Sequence, residues 1–210
     1  MRITLAYWIS SLLVAAGLGA ALWAWIALPE GAGVPIHYFG IDGHRHAGTS
    51  REIVWLIPVV ALVVLGALKL AGRRGGAAAP EAYEAMVIGV TGVLLVAEAT
   101  LIGRALQPDF NVMGPVALAV GVLLLALGNV MGKARRNAVF GLRTPWTLAD
   151  ARVWDKAHRF LGRAWVLGGF LLVAAAFALR DGMAIGVSIA ACTALPPLFS
   201  IVWSRRLARG

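Results

Sequence analysis

Three groups of polar residues in this chain carry side chains that suit chemistry. The first lies between residues 29 and 52, where His37, Asp42, His44 and His46 bring imidazole and carboxylate groups close together in sequence. Such groups bind zinc, but two histidines separated by one residue point to opposite sides of a strand and match no common zinc spacing. We therefore expect a solvated polar loop without a metal, in which His37 is the strongest candidate for a functional residue.

The second group lies inside long apolar runs. Glu98 is in such a run, where a carboxylate is costly unless it is paired or protonated. Arg104 is too far along the chain for the three- or four-residue spacing of a helical ion pair, so we expect a partner from another span or from the 29–52 loop. An acid that holds helices together and a proton-handling group both fit this position. Asn129, in the next run, is expected to hydrogen-bond between helices.

The third group is the polar segment, which we define as residues 133–160. It is the one stretch where charged, polar and aromatic residues crowd together between two long apolar runs. Gly141 permits a turn or a close backbone approach. Pro145 pushes Thr144 towards an extended conformation, which ends any preceding helix. A turn in the middle of the segment is therefore predicted.

A new helix is predicted after this turn. Thr147 and Asp150 resemble a capping box at its start, and apolar and charged residues then take opposite faces. The apolar face is Ala151, Trp154, Ala157, Leu161 and Trp165; the charged face is Arg152, Asp155, Lys156, Arg159 and Arg163. The pattern is typical of an amphipathic helix at a membrane surface, with Trp146, Trp154 and Trp165 among the lipid headgroups. An interfacial anchor without a ligand and a working surface both fit it.

The composition of the whole chain indicates a membrane protein. Apolar residues make up 60% of the 210 positions and charged residues 14%, with a mean hydropathy of +0.81, whereas soluble domains are about half apolar and a quarter charged. Proline, glycine and charged residues divide the chain into six runs, each long enough to cross the hydrocarbon core. The predicted spans are about 5–28, 53–71, 82–106, 112–131, 161–180 and 183–203.

The distribution of positive charge orients these spans. With the N-terminus inside, the inner segments hold every lysine and arginine except Arg45, Arg51, Arg104 and Arg180. Because cytoplasmic loops are rich in these residues, we expect both termini and the polar segment in the cytoplasm. The net charge of +9 has the same explanation, and no direct contact with nucleic acid is expected. The predicted fold class is an all-α membrane protein, a bundle of six transmembrane helices with a cytoplasmic amphipathic helix between spans four and five.

The polar segment resembles the signature of the SdpI family, a group of six-span bacterial membrane proteins named for immunity to a secreted peptide toxin. The match begins at Gly128-Asn129, ends at Gly162, and includes the run from Gly141 to Leu148. The resemblance implies a functional motif made of Asn137, Gly141, Arg143, Thr144, Pro145, Trp146, Thr147, Trp154, His158 and Arg159.

A second resemblance lies in the predicted outer loop. Leu28-Pro29, Pro35-Ile36-His37, Gly40 and Asp42-Gly43, followed by Pro58, are similar to the uncharacterised domain that commonly forms the N-terminal half of such proteins. That pattern has a lysine shortly after the aspartate, where this chain has His44-Arg45-His46. The resemblance implies a three-span half at 1–110 and an SdpI-like half at 111–210. It also implies extracytoplasmic site residues at Pro29, Pro35, His37, Gly40 and Asp42.

The family resemblance implies a bacterial plasma-membrane protein without cofactor or enzymatic activity that protects its cell from a membrane-active peptide toxin. In the founding case it also implies a link to a cytoplasmic transcriptional repressor. One alternative is a small transporter or intramembrane enzyme that uses Glu98 and His37 to handle protons. Another is a scaffold that binds a repressor through the basic residues of 133–136 and 152–163.

Overall fold

A computed structural model describes residues 2–29, 33–39, 45–75, 80–107, 109–137 and 140–208. Within these residues, six helices are long and apolar enough to cross a membrane, which confirms the six predicted spans and a multi-pass membrane protein. The long helices are α1 (Arg2–Ala27), α2 (Leu56–Gly75), α3 (Pro80–Leu106), α4 (Met113–Met131), α6 (Ala151–Ala178) and α7 (Gly182–Leu207); a short helix, α5, spans Pro145–Ala149.

A β-hairpin precedes α2, in the segment predicted to be a loop. Strand β1 (Val34–Phe39) pairs antiparallel with β2 (Arg45–Ser50), and the register places His37 opposite Ala47. Aromatic and β-branched residues favour strands, and β1 has the sequence Val-Pro-Ile-His-Tyr-Phe. A 3-10 turn, Glu52–Trp55, then leads into α2.

The fifth span begins with the amphipathic segment that the sequence predicts to lead into it. Helix α6 runs without interruption from Ala151 to Ala178, so the predicted amphipathic segment is the first part of the span helix itself. The helix starts where Asp150 adopts an extended conformation and its carboxylate accepts a hydrogen bond from the amide of Arg152. An N-cap of this kind satisfies amides that have no partner within the helix.

The predicted capping box at Thr147 and Asp150 is wrong. Thr144 is the N-cap of α5, with its hydroxyl accepting from the amide of Thr147, and the hydroxyl of Thr147 accepts from the amide of Thr144. Pro145 occupies the first helical position, where its missing N–H costs nothing. The box lies three residues earlier than expected, and Asp150 caps the next helix instead.

Helices α4 and α6 cross in close backbone contact. A Cβ atom added to Gly128 would lie 2.7 Å from the carbonyl oxygen of Gly162, and one added to Gly162 would lie 2.7 Å from that of Gly128. Gly169 faces the carbonyl oxygen of Gly121 at the same distance, nearer the other end of α4. Small residues let transmembrane helices approach in this way, and the resulting van der Waals contact stabilises their packing.

Helices α1 and α2 pack against α3. Val14, Ala61, Tyr83 and Val87 form one buried cluster of α1, α2 and α3, and the hydroxyl of Thr91 lies 3.1 Å from that of Ser10. This group of three helices meets the rest of the bundle where Ala82 of α3 lies in one buried cluster with Leu127, Met131, Ala134, Phe140 and Leu161.

The bundle has a motif end and a hairpin end. The motif end holds the polar segment together with the start of α3 and the end of α7. The hairpin end is opposite, where Leu28 packs with Val54 and Ile102 and where the β-hairpin joins α2.

Candidate functional site

His158 is the centre of the polar segment. Its side chain is fully buried, and its Nε2 accepts a hydrogen bond of 2.9 Å from the amide of Leu142. Nδ1 lies 2.8 Å from the carbonyl oxygen of Trp154, one turn earlier in α6. Because an amide can only donate, Nε2 carries no proton, so the proton is on Nδ1 and is donated to the carbonyl. His158 is therefore neutral and fully hydrogen-bonded, and it holds the turn before α5 against α6.

Gly141 makes this contact achievable. Its φ of +101° lies in the region that glycine adopts readily and other residues rarely do. A Cβ atom at this position would also overlap Nε2 of His158. The expected turn at Gly141 is therefore present, and the structure adds a second reason for glycine there.

Trp154 is inside the protein. Its ring is 1% exposed and stacks on His158 with 3.9 Å between ring centroids. Its indole N–H donates to the carbonyl oxygen of Ala134 at 2.8 Å, beyond the end of α4. The prediction that Trp154 lies among lipid headgroups is wrong, because helical periodicity does not tell a face that meets lipid from one that meets another helix.

Trp146 fastens α5 to α7. Its indole N–H donates to the hydroxyl of Ser204 at 2.9 Å, and the guanidinium carbon of Arg205 lies 5.9 Å from the ring centroid. The hydroxyl of Thr147 lies 2.7 Å from the carbonyl oxygen of Leu142 and is buried. The helix of five residues is thus held at several points.

Asn137 shapes the start of the turn. Its side-chain oxygen accepts from the amide of Phe140 at 2.7 Å, and its amide group donates to the carbonyl oxygen of Arg135 at 2.8 Å. Arg136 donates to the carbonyl oxygens of Leu148 and Ala149 at 3.0 and 3.3 Å. These carbonyls lie at the end of α5, where a helix leaves oxygens without internal partners.

Sequence reasoning missed Arg136 and Ser204 as parts of this site. Arg136 was noted only as part of a basic face, and its bonds to α5 cross a turn that the sequence does not specify. Ser204 is 58 residues from Trp146, so no local pattern connects them. A hydroxyl next to Arg205 and Arg206 in the last turn of α7 was the one available signal.

Three residues of the predicted motif are exposed, namely Pro145 and two arginines. Arg143 lies on the surface between Leu142 and Thr144. The guanidinium of Arg159 is 4.0 Å from the carboxylate of Asp155, with about two thirds of its side chain exposed. Both arginines face outward from the polar segment, together with other basic residues such as Arg135, Arg152 and Lys156.

Glu98 is far from the polar segment and fully enclosed. Its side chain is 1% exposed, and neither carboxyl oxygen has a hydrogen-bond partner among the residues that the structure describes. Leu13, Gly17, Pro58 and Thr91 are among the residues around it, from α1, α2 and α3. The expected partner from another span or from the 29–52 loop is not found in the described part of the chain.

The remaining predicted residues are placed separately. Asn129 is exposed in a groove between α4 and α6, so the prediction that it hydrogen-bonds between helices is wrong for the described residues. Pro29 is exposed after α1, while Pro35 and His37 lie in β1. The predictions at Gly40 and Asp42 fall outside the described residues.

The polar segment also carries the likeness to known proteins. Residues 133–204 match the model of the SdpI/YfhL protein family. This segment, about a third of the chain, is similar to the SdpI/YfhL family. The SdpI segment thus begins just after α4 and ends at Ser204, the residue that binds the ring nitrogen of Trp146. Its first and last parts are joined by that hydrogen bond.

One curated relative shows the same likeness. The immunity protein SdpI of Bacillus subtilis (strain 168) is 39% identical over 69 residues, which is 33% of this chain and 33% of the relative. The match therefore spans about a third of the relative's length. No solved structure matches the chain significantly. The division into halves at residue 110 stays a prediction, because the family match begins at residue 133.

Proposed function

We propose that this protein is an immunity protein of the bacterial plasma membrane, which protects its cell from a secreted peptide toxin without catalysing a reaction. The observation that carries the proposal is the 39% identity to the immunity protein SdpI. In this proposal both termini and the polar segment are cytoplasmic, as the excess of lysine and arginine favours.

The geometry of the SdpI segment supports a binding or coupling role. His158, Thr147 and Trp154 are buried, and their hydrogen bonds go to backbone groups of the same segment. Because these side chains are buried and already hydrogen-bonded, they maintain the local structure and are poorly placed to exchange protons with a substrate. The outward-facing basic residues, among them Arg143 and Arg159, then form the working surface.

Helix α6 offers a route between the two faces of the membrane. It runs as one helix from the polar segment to the hairpin end, and its first two turns are fixed to the turn at Leu142. A secreted toxin arrives on the outer side. We propose that events there are coupled through α6 to the polar segment, which binds a cytoplasmic partner such as a repressor.

The test is toxin survival in a sensitive strain. We expect Arg143→Ala to abolish protection while the protein remains at normal levels in the membrane, because its guanidinium binds carbonyl, carboxylate or phosphate groups in a way that alanine cannot. Arg180→Ala, an exposed arginine at the other end of α6, is the matched control and should protect fully. Full protection by Arg143→Ala contradicts this part of the proposal.

A proton-handling transporter is the second candidate, and the enclosed carboxyl group of Glu98 favours it. In that case Glu98→Gln removes protection or transport, while Arg143→Ala has a mild effect. Glu81→Gln, an exposed glutamate at the start of the same helix, is the matched control. The two functions therefore predict opposite results from the same set of strains.

A further inference from the structure

A groove with two arginines lies between α4 and α6 at the motif end. Its volume is about 370 Å³, and it is lined by Gly128, Asn129, Gly132, Arg159, Gly162, Arg163 and Val166. The glycines leave the floor of the groove without side chains. Asn129 on one wall and the two arginines on the other are exposed.

The length of α6 indicates how deep in the membrane this groove lies. Arg159 lies about 28 Å along the helix from its last residue, Ala178, at 1.5 Å per residue. The hydrocarbon core of a bilayer is about 30 Å thick. If Ala178, which precedes Arg180 and Asp181, marks one boundary, Arg159 is at the other. Arg163 is then one turn inside the hydrocarbon.

The surroundings show that the groove opens towards lipid. Leu167 and Phe170, on the next turns of α6, are each 62% exposed. An arginine beside such residues extends its guanidinium towards the headgroup region, where it meets phosphate. Arg163 is therefore directed to the same level as Arg159.

The chemistry of the groove suits a phosphodiester. A guanidinium group donates two parallel hydrogen bonds to phosphate oxygens, and the amide group of Asn129 can donate a further one. Asp155 is near Arg159 only, at 4.0 Å, so the pair of arginines keeps a net positive charge. An anionic headgroup balances that charge better than a zwitterionic one.

We propose that the groove formed by Asn129, Arg159 and Arg163 is a binding site for the headgroup phosphate of an anionic phospholipid. The site takes one lipid of the leaflet at the motif end, with its phosphate between the two guanidinium groups. Its acyl chains lie along Val166, Leu167 and Phe170. The site needs only the membrane and does not depend on toxin immunity.

The test is lipid binding by the purified full-length protein in detergent. Native mass spectrometry counts bound phosphatidylglycerol and phosphatidylcholine, and thermal unfolding is followed as each lipid is added. We expect retention of phosphatidylglycerol to fall about fivefold in Arg163→Gln and further in the Arg159→Gln, Arg163→Gln double variant, since each guanidinium donates hydrogen bonds directly to the bound phosphate. Arg163→Lys should fall between wild type and Arg163→Gln.

Controls separate this site from general charge effects and from free phosphate. Arg206→Gln removes the same charge from an exposed position at the motif end and should leave lipid retention unchanged. Unfolding temperatures in phosphatidylcholine alone should match wild type, which shows that the variants fold. Equal loss in Arg206→Gln overturns the proposal. So does equal stabilisation by phosphatidylcholine, or by inorganic phosphate without lipid.

Discussion

At the residue scale, the polar segment is held together by hydrogen bonds between side chains and backbone. His158 accepts from the amide of Leu142 and donates to the carbonyl of Trp154. Trp154 donates to the carbonyl of Ala134. Each bond satisfies a group that is costly to bury alone. A histidine among arginines and threonines suggests catalysis, but His158 has a structural role here.

The replacement Gly141→Ala tests the arrangement around His158. A positive φ costs alanine about 1–2 kcal/mol of free energy. Its methyl group would also overlap His158, which adds about 1–3 kcal/mol of strain. We expect the unfolding temperature in detergent to drop by several degrees. Gly132→Ala is the control, because a Cβ there meets Arg159 at an ordinary 3.4 Å. Similar unfolding temperatures for the two variants would contradict the close contact.

At the element scale, the crossing of α4 and α6 is the feature that positions the SdpI segment on the bundle. The glycines of this crossing bring the two backbones together, and the groove with Arg159 and Arg163 is a consequence of the missing side chains. Gly182 and Gly186 of α7 are four residues apart, as are Gly128 and Gly132 at the end of α4. Yet among the described residues nothing lies within 4 Å of a Cβ added to Gly186. The four-residue spacing alone therefore does not show whether a pair of glycines packs against another helix.

The pair Gly128→Ala and Gly186→Ala tests this distinction. A methyl group at Gly128 would press against the carbonyl oxygen of Gly162 and force α4 and α6 apart, at a cost of about 1–3 kcal/mol. At Gly186 the same methyl group meets open space, and alanine favours helix by up to about 1 kcal/mol. Thermal unfolding should therefore show a loss for the first variant and no loss for the second. A loss at both sites would mean that α7 uses Gly186 for packing.

At the scale of the whole molecule, the six spans place both ends of the chain on one side of the membrane. Helices α1, α2 and α3 form one group and α4, α6 and α7 another, joined near Ala82 and Met131 at the motif end. The polar segment, the start of α1 and the end of α7 then share one face, and the β-hairpin lies on the other. In the proposed function, the hairpin end meets the toxin and the motif end meets a cytoplasmic partner.

Labelling of single cysteines tests which face is cytoplasmic. In a Cys192→Ser background, Ser50→Cys reports the hairpin end and Arg206→Cys the motif end. We expect a membrane-impermeant maleimide to label Ser50→Cys in intact cells, and Arg206→Cys only after the cells are opened. The reason is that cytoplasmic segments of membrane proteins are enriched in lysine and arginine. Labelling of Arg206→Cys in intact cells would reverse the orientation.

The sequence by itself determined the number of spans and the position of the polar segment. Both follow from the contrast between apolar runs and charged residues, which water and lipid separate strongly. It also determined the turn at Gly141 and the two-sided pattern at the start of α6, since backbone geometry and helical periodicity are local properties.

Only the tertiary structure decided which apolar or polar face meets protein and which meets lipid. Trp154 and Trp146 looked alike in sequence, yet one is buried beside His158 and the other fastens α5 to Ser204. Lipid tails are as apolar as a protein interior, so hydrophobicity cannot distinguish a buried helix face from an exposed one. The distinction depends on close backbone contact and hydrogen bonds between residues far apart in the chain, and these appear only once the helices are packed.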